Sequence, residues 1–159
     1  MVLGGFIGTT TDYYDSYTII NSYSSGSINA GDLEGYISGF IGFSGCRSSS
    51  VLNVQNCFSA TSLSAVQAAS NAYLHGATFC YSSFGINGGA NTSSLSFPTN
   101  YYTDEVGFNV STNRKKINGT LTANYNFQSR NFVKNTLNWD ESIWYLQDGQ
   151  YPKLRFELE

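Results

Sequence analysis

Few residues in this sequence could do chemistry, and they are scattered. His75 is the single histidine. It sits in Leu74-His75-Gly76-Ala77 with no HExxH around it, so a zinc peptidase site has no ligand set. No spacing offers a serine and a carboxylate to complete a triad with it. His75 therefore reads as a structural residue at a repeat boundary. Carboxylates come in four close pairs: Asp12 with Asp15, Asp32 with Glu34, Asp104 with Glu105, and Asp140 with Glu141. Two carboxyl groups about 5–9.5 Å apart can cleave a glycosidic bond, one as acid and the other as nucleophile or base. Each pair lies among turn-forming residues, where acids are normally just solvated. Gly4-Gly5-Phe6-Ile7-Gly8 lacks the Lys-Ser/Thr and following helix of a phosphate loop. The Asp-containing turns follow neither the EF-hand pattern nor a repeated Gly-Gly-x-Gly-x-Asp. The expectation is no catalytic residue, no cofactor and no metal.

Three cysteines, Cys46, Cys57 and Cys80, fit no zinc or redox spacing. By the repeat described below, Cys57 aligns with Ser22 and Cys80 with Phe43, as small buried apolar residues would. A Cys57–Cys80 or Cys46–Cys57 disulfide stays open if the fold brings either pair within bridging distance. Asn91-Thr92-Ser93, Asn109-Val110-Ser111 and Asn118-Gly119-Thr120 fit the glycosylation sequon, about as many as this composition yields by chance.

The chain has 159 residues and a net charge of −3, and only 12% of its residues are charged. Arg114-Lys115-Lys116 is the one basic cluster, too small a footprint for nucleic-acid binding. No apolar run reaches the roughly 20 residues that span a bilayer as a helix, so no membrane insertion by this segment is expected. Aromatic residues make up 16%, mostly Tyr and Phe. With Ser, Asn and Gly abundant, that composition leans to β-structure. The tyrosines serve strand packing, or else form a stacking surface for sugars.

What must position all of these is a repeat. Ile19 to Gly42 has two halves, an Asn-x-aromatic (Asn21-Ser22-Tyr23) leading to Ser25-Gly26 and Ile28, and Ser38-Gly39-Phe40-Ile41-Gly42. Gly4-Gly5-Phe6-Ile7-Gly8 repeats the second half, and Asn56-Cys57-Phe58 repeats the first. His75-Gly76-Ala77-Thr78-Phe79 is a worn copy of the second, and Asn100-Tyr101-Tyr102 one more of the first. Gly5 to Gly39 spans 34 positions, Gly39 to Gly76 spans 37, and Asn21 to Asn56 spans 35. A period of this size marks units that stack because none buries its own apolar face. The units hold short β-type runs broken by Gly, Ser and Asn, with no helical spacing, which predicts an all-β solenoid. Asn tolerates the left-handed conformation of a corner, and stacked Asn side chains can bond in a ladder. The predicted repeat positions are Asn21, Tyr23, Gly39, Gly42, Asn56, Phe58, Gly76, Asn100 and Tyr102.

Residues 1–105 are assigned to the repeat units and 106–159 to a capping segment of the same domain. Beyond 106 the composition shifts and both tryptophans occur. The last coil of a solenoid exposes an apolar face and an unpaired strand edge, and needs an atypical element to cover them. Trp139, Trp144, Tyr151, Pro152 and Leu154, at irregular spacing, are predicted to form that cap. Because the sequence opens in mid-repeat, it is expected to be a piece of a longer protein, with any secretion signal upstream and an open N-terminal face.

These residues carry a resemblance. Asn-x-Tyr-x-x-Gly-x-Ile followed by Gly-Phe-Ile-Gly resembles the GLUG-motif repeats of bacterial surface adhesins, large secreted repeat proteins and the non-catalytic parts of IgA-specific metallopeptidases. The order of the tail is similar to the end of such arrays: Asn100-Tyr101-Tyr102, Gly119-Thr120-Leu121-Thr122, Trp139-Asp140 with Ile143-Trp144, and Gly149-Gln150-Tyr151-Pro152-Lys153-Leu154. The second unit departs from the pattern at Gly76-Ala77-Thr78-Phe79. The resemblance implies a right-handed parallel β-helix, here of two to three coils with a Trp-rich cap. It also implies an extracellular or cell-surface setting. The role expected is a non-catalytic structural or adhesive module that binds a glycan or protein, or associates with itself through the N-terminal solenoid face. Two alternatives are a carbohydrate-active β-helix enzyme and a component of a larger particle or appendage.

Overall fold

The computed structural model describes residues 1–10, 16–29, 31, 35–44, 51–64, 74–77, 80–82, 97–103, 116–117 and 119–158. Four short strands come first: β1 (Val2–Gly4), β2 (Ile7–Thr10), β3 (Ser16–Ile20) and β4 (Tyr23–Asn29). The same four recur as β5 (Gly35–Ser38), β6 (Ile41–Ser44), β7 (Val51–Gln55) and β8 (Phe58–Ser64). They are followed by β9 (Leu74–Ala77), β10 (Cys80–Ser82), β11 (Phe97–Tyr102), β12 (Lys116–Ile117) and β13 (Gly119–Leu121). Each strand pairs with its counterpart in the next layer, giving sheets ordered β1-β5-β9, β2-β6-β10-β12, β3-β7 and β4-β8-β11-β13. All of these pairs are parallel except β10 with β12. The protein is all-β in its stack, with mostly parallel sheets.

Between the first two layers the register follows the predicted period. Ile7 faces Ile41, 34 residues on, and Tyr23 faces Phe58, 35 residues on. Like stacks on like. Phe6 lies on Phe40 with ring centroids 4.8 Å apart and planes within 4°, and Tyr23 lies on Phe58 at 4.8 Å. That separation is the spacing of adjacent strands. Asn21 and Asn56 hold φ of 50° and 53° at the corners before β4 and β8, the left-handed turn expected of them. Gly5 is required by close approach, since a Cβ there would lie 2.1 Å from the Gly39 carbonyl oxygen. Gly42 is similarly confined, 2.5 Å from the Leu3 carbonyl oxygen.

The third layer departs from the predicted alignment. Gly76 faces Ile37 rather than Gly39, and Cys80 faces Ile41 rather than Phe43. Tyr101, not Tyr102, faces Phe58, and Tyr102 faces Ser59. Asn100 thus falls opposite Cys57, one position away from the left-handed corner. Longer connections move the register to 39 residues at Cys80 and 43 at Tyr101, so a fixed period misplaces the matching letters. Strand pairing also continues past residue 105, through β13 on β11.

The C-terminal segment holds α1 (Asn124–Phe127), a π-helical turn (Phe132–Thr136), the hairpin β14 (Trp144–Tyr145) with β15 (Lys153–Leu154), and a 3-10 turn (Arg155–Leu158). It runs along the flank of the stack, which corrects the predicted end cap. Phe127 stacks on Phe58 at 4.3 Å, Tyr151 on Tyr23 at 6.0 Å, and Phe132 meets Tyr101 edge-on at 5.2 Å. Tyr23, Phe58 and Tyr101 belong to three successive layers, so one segment grips all three. Leu121, in the last strand of the stack, stays 53% exposed.

Two apolar cores lie among the described residues. One gathers Ile19, Phe40, Ile41, Leu52, Val54 and Cys57 between the sheets. The other joins Phe58 and Ala60 to Phe127, Val133, Leu137, Trp139 and Leu146 on the flank. β8 is therefore covered on both faces. Phe58 and Ala60 point to the flank, while Ser59, Thr61 and Leu63 alternate with them and are also buried. No helix among the described residues is long and apolar enough to cross a membrane.

Candidate functional site

Asp140 and Glu141 are the one carboxylate pair within the described residues, and both are held ionised. The Glu141 carboxylate accepts hydrogen bonds from Arg130 Nε at 2.7 Å and Nη2 at 3.1 Å, and from Lys134 Nζ. The Arg130 and Lys134 bonds pull its pKa down to about 2. Asp140 Oδ1 accepts from the Ser142 N–H at 2.7 Å, and bonding to Ser142 lowers its pKa as well. A glycosidase acid needs the opposite, a carboxyl held protonated near neutral pH. This pair is a structural anchor that ties the π-helical turn to the loop before β14. The other three pairs, Asp12 with Asp15, Asp32 with Glu34 and Asp104 with Glu105, lie outside the described residues.

Cys57 is a buried free thiol, which removes both disulfides left open by the sequence. Its Sγ donates to the Gln55 carbonyl at 3.1 Å, and burial pushes its pKa up to about 12. An uncharged thiol with that pKa is a poor nucleophile. His75 sits in β9 opposite Tyr36. Cys46 and the three sequon asparagines Asn91, Asn109 and Asn118 lie outside the described residues. No group of three or more His, Cys, Asp or Glu among the described residues is placed to hold a metal ion.

The predicted cap residues come together, but on the flank. Trp139 is buried and its Nε1–H donates to the Asn56 carbonyl at 2.7 Å. Trp144 packs on Trp139 at 4.5 Å. The Tyr23 hydroxyl donates to the Pro152 carbonyl at 2.8 Å, and Leu154 pairs with Trp144 in the hairpin. Of the repeat positions, Gly39 works through its backbone, accepting from Ser24 Oγ at 2.7 Å. Ser24 Oγ also reaches Ser59 Oγ at 3.3 Å, so the ladder expected of asparagines is made by serines. Asn21 Oδ1 is buried with no partner.

The sequence did not single out Ser24, Ser59 or Tyr101. A signal for them existed. Tyr23-Ser24 and Phe58-Ser59 set an aromatic beside a small polar residue at the same repeat position, which a strand sends to opposite faces. The aromatic side is then the one needing a cover.

Among the described residues the first layer presents an outer strand edge. β1, β2, β3 and β4 each pair on one side only among the described residues. The Phe58 N–H bonds to the Ser22 carbonyl at 3.1 Å. In a parallel ladder this fixes the parity, so the N–H and C=O groups of Tyr23, Ser25 and Ser27 point away from β8. β4 carries no charge and no proline, the usual guards of a free edge. Phe6, stacked on Phe40, is 46% exposed.

No family model matches the chain, and neither a curated protein nor a solved structure matches it.

Proposed function

We propose that this chain is a non-catalytic β-solenoid module, a right-handed parallel β-helix of the GLUG-repeat kind. It works structurally or adhesively in a secreted or surface-displayed protein. The observation that carries this reading is the recurrence of four strands in one order, each paired in parallel with its counterpart in the next layer. Support also comes from like-on-like stacking of Phe6 on Phe40 and Tyr23 on Phe58, around an interior of Ile19, Phe40, Ile41, Leu52, Val54 and Cys57. The ion-paired state of Glu141 adds to it, because the described carboxylate pair has no free proton donor. The partner is a protein or a glycan met at a surface, through loops or through the outer edge of β4.

The test is to pass the chain over a panel of immobilised polysaccharides and surface proteins, while assaying the same polysaccharides for new reducing ends. Retention without release of ends is the expected result. Release of reducing ends would make the chain a carbohydrate-active enzyme instead, and its loss in Glu141→Gln would place the chemistry at that carboxylate.

A further inference from the structure

We infer that residues 124–158 form a closed bracket that makes the stacked layers come apart together, so that the module carries load as one body instead of unravelling layer by layer; this deepens the module reading above and rests on it. The chain leaves the stack after β13, which pairs with β11. The early part of the bracket lies on the later layers, where Phe127 stacks on Phe58 and Phe132 meets Tyr101. The late part returns to the first layer. Tyr151 stacks on Tyr23, and the Pro152 carbonyl accepts the Tyr23 hydroxyl. The two parts are also tied to each other. The Tyr151 hydroxyl donates to Asn124 Oδ1 at 2.9 Å, the Gly149 N–H to the Gln128 carbonyl at 2.8 Å, and the Arg130 N–H to Asp148 Oδ1 at 2.8 Å. Glu141 adds its bonds from Arg130 and Lys134. The span from Phe132 to Pro152 is therefore set by the bracket's own bonds. The first and third layers are joined through it by a second route besides their strand ladders.

A stack of repeats with contacts only between neighbours opens from its ends. Here the first layer cannot lift away alone. Tyr23 touches Trp139, Trp144 and Tyr151, and Trp139 and Tyr151 also touch Phe58 of the second layer. The Trp139 Nε1–H holds the corner carbonyl of Asn56 in that layer as well. Parting Tyr23 from the bracket therefore loosens the rings that keep Phe58 fully buried, and returning a buried aromatic to water opposes folding. Phe127, which covers Phe58, shares the bracket with Phe132, which covers Tyr101 in the third layer. Loss of one contact thus weakens all three layers. Tension between β1, in the first layer, and β15, which begins just after Pro152, falls on the Tyr23 joint.

The experiment is urea unfolding of the full chain, read by tryptophan emission and by far-UV circular dichroism. Both tryptophans, Trp139 and Trp144, lie in the bracket, whereas the dichroism reports the strands. Wild type should give one transition with the same midpoint by both probes. Arg130→Ala cuts the ties to Glu141 inside the bracket, and Tyr23→Phe keeps the ring but removes the bond to Pro152. Each should lower the two midpoints together, and Tyr23→Phe serves alone if Arg130→Ala does not fold. Pulled between its ends, the wild-type chain should rupture once, with an extension near that of the whole chain. Emission that changes at lower urea than the dichroism would overturn the inference, as would strand signal lost ahead of the emission. So would folded variants that move neither midpoint or only one, or a sawtooth of layer-sized extensions under force. Those results leave the module reading standing, whereas release of reducing ends in the polysaccharide assay removes that reading and leaves the midpoints where they are.

Discussion

The buried carboxamide of Asn100 spans the corner of the layer beneath it. Its Nδ2 donates to the Val54 carbonyl at 2.8 Å, and its Oδ1 accepts the Cys57 N–H at 2.9 Å. Among the described residues β7 has no third strand above it in its sheet, and one side chain supplies a donor and an acceptor there. Asn100→Ala removes both hydrogen bonds and takes the acceptor from the buried Cys57 N–H, at about 1–3 kcal/mol. A clear fall in the urea midpoint is expected. Asn100→Asp keeps the acceptor, loses the donor and adds a buried charge, so it should be no better than alanine.

The corners at Asn21 and Asn56 make a backbone prediction. A left-handed residue with a Cβ costs about 1–2 kcal/mol unless it is Gly, Asn or Asp. Asn56→Gly should therefore leave the urea midpoint near wild type, while Asn56→Val should lower stability by about that amount. Both retain the carbonyl that receives Trp139 Nε1–H, so the difference reports the backbone alone.

The flank clamp makes a prediction an end cap would not. Tyr23 belongs to the first layer, yet it touches Trp139, Trp144 and Tyr151. Tyr23→Ala should shift the tryptophan emission toward that of solvated indole and lower stability by less than the roughly 3–5 kcal/mol of a fully buried aromatic, since Tyr23 is partly buried. A cap resting only on the last layer would leave the emission unchanged.

Glu141 and Cys57 contribute pH dependence of opposite sign, alongside the lowered Asp140 in acid and the raised Tyr23 in base. Glu141 has a folded pKa depressed to about 2 from an ordinary 4.5. Its stabilisation is present above about 4.5 and is lost as pH falls toward 2. Glu141→Gln should flatten thermal stability over that acid window. Cys57 has a folded pKa raised to about 12 from an ordinary 9.0. Its contribution is whole below 9 and is lost as pH rises from there to 12. In a chain carrying Cys46→Ser and Cys80→Ser, Cys57 should resist iodoacetamide at pH 8 until denaturant is added.

The first two layers were legible because their connections are nearly equal in length, so Gly5 with Gly39 and Asn21 with Asn56 keep one period. The third layer was not. Its longer connections break the period, and Asn100-Tyr101-Tyr102 repeats the letters of the corner motif while sitting one residue out of register with it. The aromatic tail was legible as a cover and not as to what it covers. Its target is set by Tyr23, Phe58 and Tyr101 sharing one strand face, a relation that exists only after the layers are in register.

The most direct test of the stacked and open-edged account is amide hydrogen exchange in dilute, monomeric protein. It predicts alternation along β4, with Ser24 and Gly26 protected by β8 and Tyr23, Ser25 and Ser27 exchanging fast. β8, paired on both sides near Phe58 and Ser59, should be protected without alternation there. Uniform protection along β4 would contradict the free edge, and uniform rapid exchange in both strands would contradict the stack itself.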